Sequence, residues 1–295
     1  MSDNKKNKVW TIKKVLFWTS DYFKKHNIDS PKFNAEMIMS KILNLSRVKL
    51  YLHYDEVLPA KKLAKIKKFI KKRADHYPLQ YLLGETEFYG HKIYVNEGVL
   101  IPRPETEVLV DAVVTYLKNS DKRNCNILDL GTGTGVIPIS IHKYFEDKDC
   151  DINFTVTDVL SASLKNAERN FQKYDMNNVK LIESDLLEKV DAIFDIITSN
   201  PPYIAEEDWD DLPLVIKDHE PKQALLAGER GLKYYKSILS KSRDYLKDDA
   251  RVFLEIGAEQ AEDVMQLADK HSFEVLGINK DFNDRDRVMI LKMKE

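Results

Sequence analysis

Two cysteines, Cys125 and Cys150, are the only thiols in 295 residues. They are too few for a disulfide framework and have no metal-ligand spacing, so ordinary thiols are expected. No run approaches the roughly 18 apolar residues of a membrane span. The polar start Met1 to Lys8 lacks the apolar stretch of a secretory signal. The histidines, His76 and His91 among them, show no metal-like spacing, and no G-x-x-x-x-G-K-[ST] phosphate cradle occurs. There is no internal repeat or low-complexity segment. Together these absences predict a cytoplasmic protein with no membrane attachment and no metal requirement. The apolar content, 43%, can supply two cores, and the length suits a full α/β domain with a smaller companion.

A net charge of −2 conceals an uneven distribution. Residues 1–75 carry 19 Lys+Arg against 7 Asp+Glu, a net of +12, and the remainder is net −14. The basic part reads as helices: Val9 to Lys25, a second opened by Ser30-Pro31 and running to Ile42, and a third from Pro59 to Asp75. In the third, Lys61, Lys62, Lys65, Lys68 and Lys72 face away from Leu63, Ile66, Phe69 and Ile70. Such a face either solvates a small bundle or docks an acidic partner; a basic face alone does not choose between a protein and nucleic acid, and the reading adopted is a protein. The expected organisation is a helical bundle over 1–75, a linker (His76 to Gly84) and β-hairpin turning at Gly90 over 76–100, and an α/β domain over 101–295.

Within the α/β part the strands come in order. Ile127-Leu128-Asp129-Leu130 reads as a buried strand that empties into Gly131-Thr132-Gly133-Thr134-Gly135, with a helix from Val136 to Tyr144 behind it. Glycines there permit close backbone approach to a ligand, but Val136 makes the spacing G-x-G-x-G, which is not the dinucleotide fingerprint. A second strand ends in Asp158, placed to accept from ribose hydroxyls. The third runs into Glu183-Ser184-Asp185, whose last carboxylate can accept from an adenine amino group. Either acid alone reads first as a solvated strand end; together, in chain order, they describe a nucleoside pocket. Further strands near Phe194 to Ser199, Val252 to Ile256, Phe273 to Gly277 and Val288 to Met293 make seven, the last two pairing antiparallel.

The strand ending at Ser199 runs into Asn200-Pro201-Pro202-Tyr203. Two prolines without N–H donors stiffen this turn. The Asn200 side-chain oxygen and the Pro201 carbonyl can together accept both hydrogens of a planar –NH2 group, with the Tyr203 ring alongside. A nucleoside pocket without a phosphate cradle, next to a grip for an amino group, suggests S-adenosylmethionine and methyl transfer to nitrogen.

At this point the chain resembles a known family. Asp129 to Gly135 is similar to motif I of class I methyltransferases, and Asn200-Pro201-Pro202-Tyr203 to the motif of amino-group methyltransferases. Pro78 to Gly84, Glu87-Phe88-Tyr89-Gly90 and Leu100 to Glu107 resemble the segment joining the two domains of the HemK/PrmC family. Glu220-Pro221 to Ala224-Leu225 and Gly228 to Leu232 resemble that family's loop after the catalytic turn. Two positions depart from the pattern: Asp284, where family members often carry glycine, and Leu186, where some relatives place an aromatic over the adenine.

The resemblance implies a class I S-adenosylmethionine-dependent methyltransferase, α/β with a Rossmann-like seven-stranded sheet and a small N-terminal helical bundle. It implies methylation of the N5 of the glutamine in the Gly-Gly-Gln motif of peptide chain release factors, leaving S-adenosylhomocysteine. Cofactor contacts are expected from Asp129, Gly131, Thr132, Gly133, Thr134, Gly135, Asp158, Asp185, Leu186 and Asn200. Substrate contacts are expected from Asn200, Pro201, Pro202 and Tyr203, with Asn200, Pro201 and Tyr203 catalytic. The bundle is expected to dock the release factor, and a monomer is expected. Arg103 and Glu105 either touch cofactor or substrate or form a local ion pair. His219, beside Asp218 and Glu220, reads as structural. The rival enzyme is a DNA or RNA methyltransferase acting on adenine N6 or guanine N2, against which stand the acidic catalytic part and the lack of a target-recognition insertion. A third reading is a cofactor-binding scaffold without catalysis, which the intact Asn200 and Tyr203 disfavour.

Overall fold

The structure, a computed structural model, describes residues 9–120, 122, 124–148 and 150–295; the polar start Met1 to Lys8 lies outside them. The chain forms two compact units. One takes in the chain up to Gly84 together with Leu214–His219, the other Glu85–Pro213 and Glu220–Glu295.

In the first unit, helices α1 (Ile12–Lys25), α2 (Pro31–Leu43), α3 (Arg47–Leu52), α4 (Ala60–Ala74) and α5 (Leu79–Leu83) follow one another. Thr11 caps α1 by accepting from Lys14 N, and Pro31 opens α2 where its missing N–H costs nothing. Helix α1 buries Ile12, Val15, Leu16 and Phe23, the spacing of one helical face. Ile66, Ile70 and Ala74 are the buried residues of α4, while Lys61, Lys62, Lys65, Lys68 and Lys72 are exposed. Glu36 is buried on α2 and held by Arg47, whose Nη2 and Nε lie 2.6 and 2.8 Å from it, and by the Tyr51 hydroxyl. Helix α5 occupies the segment that the sequence reads as a linker: Leu79, Leu82 and Leu83 pack into this unit's core.

The second unit begins with a hairpin, β1 (Glu85–Phe88) and β2 (His91–Tyr94), turning through Tyr89 and Gly90, both at positive φ as a two-residue turn requires. A 3-10 turn at Pro104–Thr106 then leads into α6 (Glu107–Asn119). Alternating elements follow: β3 (Asn124–Leu130), α7 (Val136–Phe145), β4 (Asp151–Asp158), α8 (Ser161–Lys173), β5 (Lys180–Glu183) and β6 (Phe194–Ser199). The chain then passes through the short α9 (Leu214–Lys217), which belongs to the first unit, and continues in the second with α10 (Lys233–Lys241), β7 (Leu246–Glu255), α11 (Ala261–Lys270), β8 (Phe273–Lys280) and β9 (Asp286–Met293). Seven strands form one sheet in the order β5-β4-β3-β6-β7-β9-β8. Strand β9 is antiparallel to both neighbours, and the other pairs are parallel.

The central strands are apolar on both faces because both faces are covered. Ile127, Ile196 and Phe253 pack with α6, α7 and α8, whereas Leu128, Ile197, Val252 and Leu254 pack with α10 and α11. Each such side chain contributes about 1.5–3 kcal/mol on burial. At the amino end of β6, the Asp195 carboxylate accepts from Asn126 N and pairs with Lys122 and Lys247 at 3.0 and 2.8 Å. That leaves the carboxyl ends of β3, β4, β5 and β6 to open into loops, the edge at which such sheets bind ligands.

Candidate active site

A cleft open to solvent lies at that edge. Its lining includes Gly131 and Gly133 after β3, Asp158 at the end of β4, Asp185 and Leu186 after β5, and Asn200, Pro201 and Pro202 after β6. Of the other residues singled out in the sequence, Asp129, Thr132, Thr134, Gly135 and Tyr203 do not line it.

Gly131 and Gly133 leave open space where a Cβ would stand, so the backbone itself forms that wall. Gly135 serves packing instead. A Cβ there would meet the Phe171 ring at 2.8 Å, and its φ of +81° suits glycine alone. Thr134 holds α8, its carbonyl accepting from Asn170 Nδ2 at 2.9 Å.

Asp158 anchors the glycine loop. Its Oδ2 accepts from Gly133 N and its Oδ1 from Leu160 N, both at 2.9 Å. Burial raises its pKa, opposed by those two N–H groups. The Ser163 hydroxyl and the Val159 N–H also favour its charged form. Asp129 is 1% exposed, and its Oδ1 accepts from Thr198 Oγ1 at 2.7 Å. Burial pushes its pKa up to about 7, with Thr132 and Thr198 favouring the charged form. Asp129 Oδ2 and Thr132 Oγ1 are both buried without a hydrogen-bond partner of regular geometry. Leu186 holds φ at +50°, a conformation rare for a bulky residue, where the chain turns along the cleft.

Asn200 follows β6, whose last residue bonds back to β3 through Ser199 Oγ and Leu130 O at 2.8 Å. Its Nδ2 donates to Thr106 Oγ1 at 2.9 Å, which makes Oδ1 the accepting end of the amide. Pro201 is buried and stiffens the turn. The Tyr203 ring packs against the core cluster that contains Tyr235, and burial raises its pKa. Its carbonyl accepts from Gln260 Nε2 at 3.0 Å. Gly231 fits against the same carbonyl: a Cβ there would lie 2.1 Å from Tyr203 O.

The ion pair of Arg103 is with Glu220, distant in the chain, and is not the local one weighed with Glu105: Nη2 lies 2.6 Å from Glu220 Oε1, while Glu220 Oε2 accepts from Ile101 N at 3.1 Å. The His219 ring stands edge-on to Tyr77, 5.2 Å between centroids. Sequence reasoning assigned no role to Thr106, Glu255, Gln260 or Gly231. Thr106 and Gly231 lie inside segments that carry the family resemblance, but their spacing says nothing of what they touch. Glu255 is 0% exposed at the end of β7, and burial pushes its pKa up to about 7, opposed by Thr106 and Arg287. Among the described residues, no group of three or more His, Cys, Asp or Glu could hold a metal ion, and no helix is long and apolar enough to cross a membrane.

Comparison with known proteins adds an independent line. A family model described as the PrmC N-terminal domain matches residues 14–84, and one described as the methyltransferase small domain matches residues 106–215. A release factor glutamine methyltransferase of Rhodopirellula baltica is 30% identical over 300 residues, covering 99% of each chain. Another, of Fusobacterium nucleatum, is 36% identical over 275 residues, covering 92% of this chain and 76% of that one. The crystal structure of a methyltransferase from Pyrococcus furiosus shares the fold, with a TM-score of 0.50 at 18% identity over 69% of this chain and 89% of that one. Near-complete coverage at this identity, with matches on both sides of Gly84, leaves one assignment: the chain belongs to the HemK/PrmC family of release factor glutamine methyltransferases.

Proposed function

We propose that this protein transfers a methyl group from S-adenosylmethionine to the N5 of the glutamine in the Gly-Gly-Gln motif of peptide chain release factors, acting in translation termination. The observation that carries the reading is the Asn200 amide, tied through Nδ2 to Thr106 and left with its oxygen as acceptor on a proline-stiffened turn of the cleft.

The cleft suits a nucleoside bearing a charged tail. Gly131 and Gly133 leave room for close approach, and Asp158 and Asp185 offer carboxylate acceptors along the lining. S-adenosylmethionine supplies an electrophilic methyl on its sulfonium; as the amide nitrogen bonds that carbon, the carbon–sulfur pair returns to sulfur and the nitrogen gives up a proton.

A carboxamide nitrogen is a weak nucleophile because its lone pair is shared with the carbonyl, so orientation must supply much of the rate. Asn200 Oδ1 and the Pro201 carbonyl hold the two N–H bonds in this reading. They also stabilise the positive charge that builds on nitrogen, and they or water receive the proton. Asp158 holds the ribose and Asp185 the adenine amino group. No metal takes part, and chelators are expected to leave the rate unchanged.

The lysine face of α4 is proposed to dock the release factor as part of a recognition bundle over residues 1–75. Lys65→Glu with Lys68→Glu is expected to raise KM for the release factor several-fold at low salt and hardly at all at high salt. A salt-independent change would remove that face from docking. The deciding experiment for the reaction is incubation of the purified protein with labelled S-adenosylmethionine and a release factor, followed by mass spectrometry of the modified peptide. Label on the Gly-Gly-Gln glutamine is expected. Label on nucleic acid and none on release factor would instead establish the rival exocyclic-amine reading.

A further inference from the structure

Behind Asn200 stand two residues that do not line the cleft. Thr106, 3% exposed, ends the 3-10 turn before α6, and its Oγ1 accepts from Asn200 Nδ2. Glu255 ends β7, where Ser199 pairs with Leu254, so Glu255 sits one step further along the parallel pair, level with Asn200. It is fully buried, and neither carboxylate oxygen has a hydrogen-bond partner of regular geometry. Thr106 lies near enough to favour its charged form. A buried carboxylate is costly unless a donor meets it, and the Thr106 hydroxyl with the nearby Arg287 charge is what favours its ionised form here.

The geometry points to Thr106 and Glu255 as positioning residues for the Asn200 amide: the Thr106 hydroxyl donates its hydrogen bond to the buried carboxylate, so that Thr106 Oγ1 offers only lone pairs and Nδ2 must be the end of Asn200 that faces it. An amide is nearly symmetric in shape, and packing alone selects poorly between its two orientations. A hydroxyl whose proton is already committed makes the selection, because it rejects an oxygen in front of it. The inference rests on the reading of Asn200 as the acceptor of the substrate amide.

It makes the acceptor sensitive to pH. Protonated Glu255 no longer needs the Thr106 proton, which is then free to donate to Asn200 Oδ1 in the flipped amide and so remove the acceptor from the substrate. The charged form is therefore the active one, and activity at saturating cofactor is lost as pH falls through the titration of Glu255. The groups facing Glu255 are Glu105 and Arg103 before α6, Tyr203 after β6, Tyr235 on α10, whose hydroxyl donates to Glu255 O at 3.2 Å, and Arg287 on β9. Arg287 is itself paired with Asp281 at 3.1 Å and donates to Ile256 O at 3.0 Å, so its charge is fixed in place.

The test is single-turnover methyl transfer to a purified release factor at saturating S-adenosylmethionine between pH 5.5 and 9, with cofactor dissociation constants measured alongside. Thr106→Val is expected to slow transfer roughly 10- to 100-fold with cofactor affinity unchanged within about threefold, and Thr106→Ser to restore it to within about fivefold. The wild-type rate is expected to climb with pH up to about 7, and Glu255→Gln to be slower at pH 8 but to lack that rise. A Thr106→Val enzyme as fast as wild type, or a Glu255→Gln enzyme that keeps the acid limb, overturns the proposal. If Glu255→Gln does not fold, the Thr106 pair and the wild-type profile decide: Thr106→Ser no faster than Thr106→Val, or a flat wild-type profile, overturns it equally. Inactive Asn200→Ala beside unimpaired Thr106→Val rejects the positioning role alone, whereas wild-type protein that labels no glutamine rejects the underlying function.

Discussion

Two side chains divide the work of the cleft differently. Asn200 meets the acceptor substrate in the proposed reaction, so Asn200→Ala is expected to reduce methyl transfer by about 10²–10³ while leaving cofactor affinity within a small factor. Turnover equal to wild type would take Asn200 out of the mechanism. Asp158, in the proposed reaction the residue that holds the cofactor ribose, also ties down Gly133 and Leu160. Removing it deletes charged acceptors and leaves two N–H groups without partners, so Asp158→Ala is expected to weaken cofactor binding by about 1.5–3 kcal/mol, roughly 10- to 100-fold. Isothermal titration with S-adenosylmethionine measures this directly, and an unchanged dissociation constant contradicts the role. Asp284, the departure from the family's glycine, stands at φ +60°, a conformation that aspartate tolerates better than most residues, so the turn survives the exchange.

Among the elements, the turn after β6 owes its shape to a neighbour distant in sequence. Gln260 Nε2 donates to the Tyr203 carbonyl, and Gly231 packs against that carbonyl with no room for a side chain. A Gly231→Ala methyl group would stand 2.1 Å from Tyr203 O and 2.6 Å from Gln260 Nε2, at a φ of +68° that alanine adopts poorly. The turn must move, so a loss of about 1–3 kcal/mol in stability is expected together with slower methyl transfer. Urea unfolding and turnover measure the two effects, and an alanine variant with both intact would show that the turn does not depend on this contact. Elsewhere the helix α5 arose where a linker was expected: its apolar residues pack into the first unit's core, an interaction five residues cannot signal by periodicity.

At the scale of the whole molecule, buried charge governs how stability responds to pH. Glu255 and Asp129 hold their protons in the folded state up to about pH 7, whereas unfolded carboxyls release them near pH 4. Between those values the folded protein binds more protons than the unfolded one, so stability falls as pH rises, on the order of 1.4 kcal/mol per pH unit for each group. Asp195 runs the other way. Burial alone raises its pKa, but the Asn126 N–H, Lys247 and Lys122 outweigh it and leave it lowered. Its contribution is present above the ordinary aspartate value and disappears as pH falls through the folded one. His91 and His142, lowered by burial, add stability as pH rises toward 6.5, which opposes the carboxyls over part of their range. Comparison with Glu255→Gln isolates one group: relative to wild type, the variant is expected to gain stability from pH 5 to about pH 7 and to level off above it in the cofactor-free protein. A difference independent of pH in urea unfolding would mean that Glu255 is ionised throughout.

Much of this was legible before any coordinates. The apolar runs at Ile127 to Leu130 and Phe194 to Ser199 mark central strands because a sheet covered on both faces leaves no polar alternation. The turns that follow them name the ligand-binding edge because glycine and proline constrain the backbone locally. Local rules could not show that Thr106 orients Asn200, that Glu255 is buried level with it, or that Gly231 abuts Tyr203. Those contacts join residues between 28 and 94 apart in the chain. Only the packing of the second unit brings such residues together, and only burial turns an ordinary glutamate at a strand end into a group that titrates near neutrality.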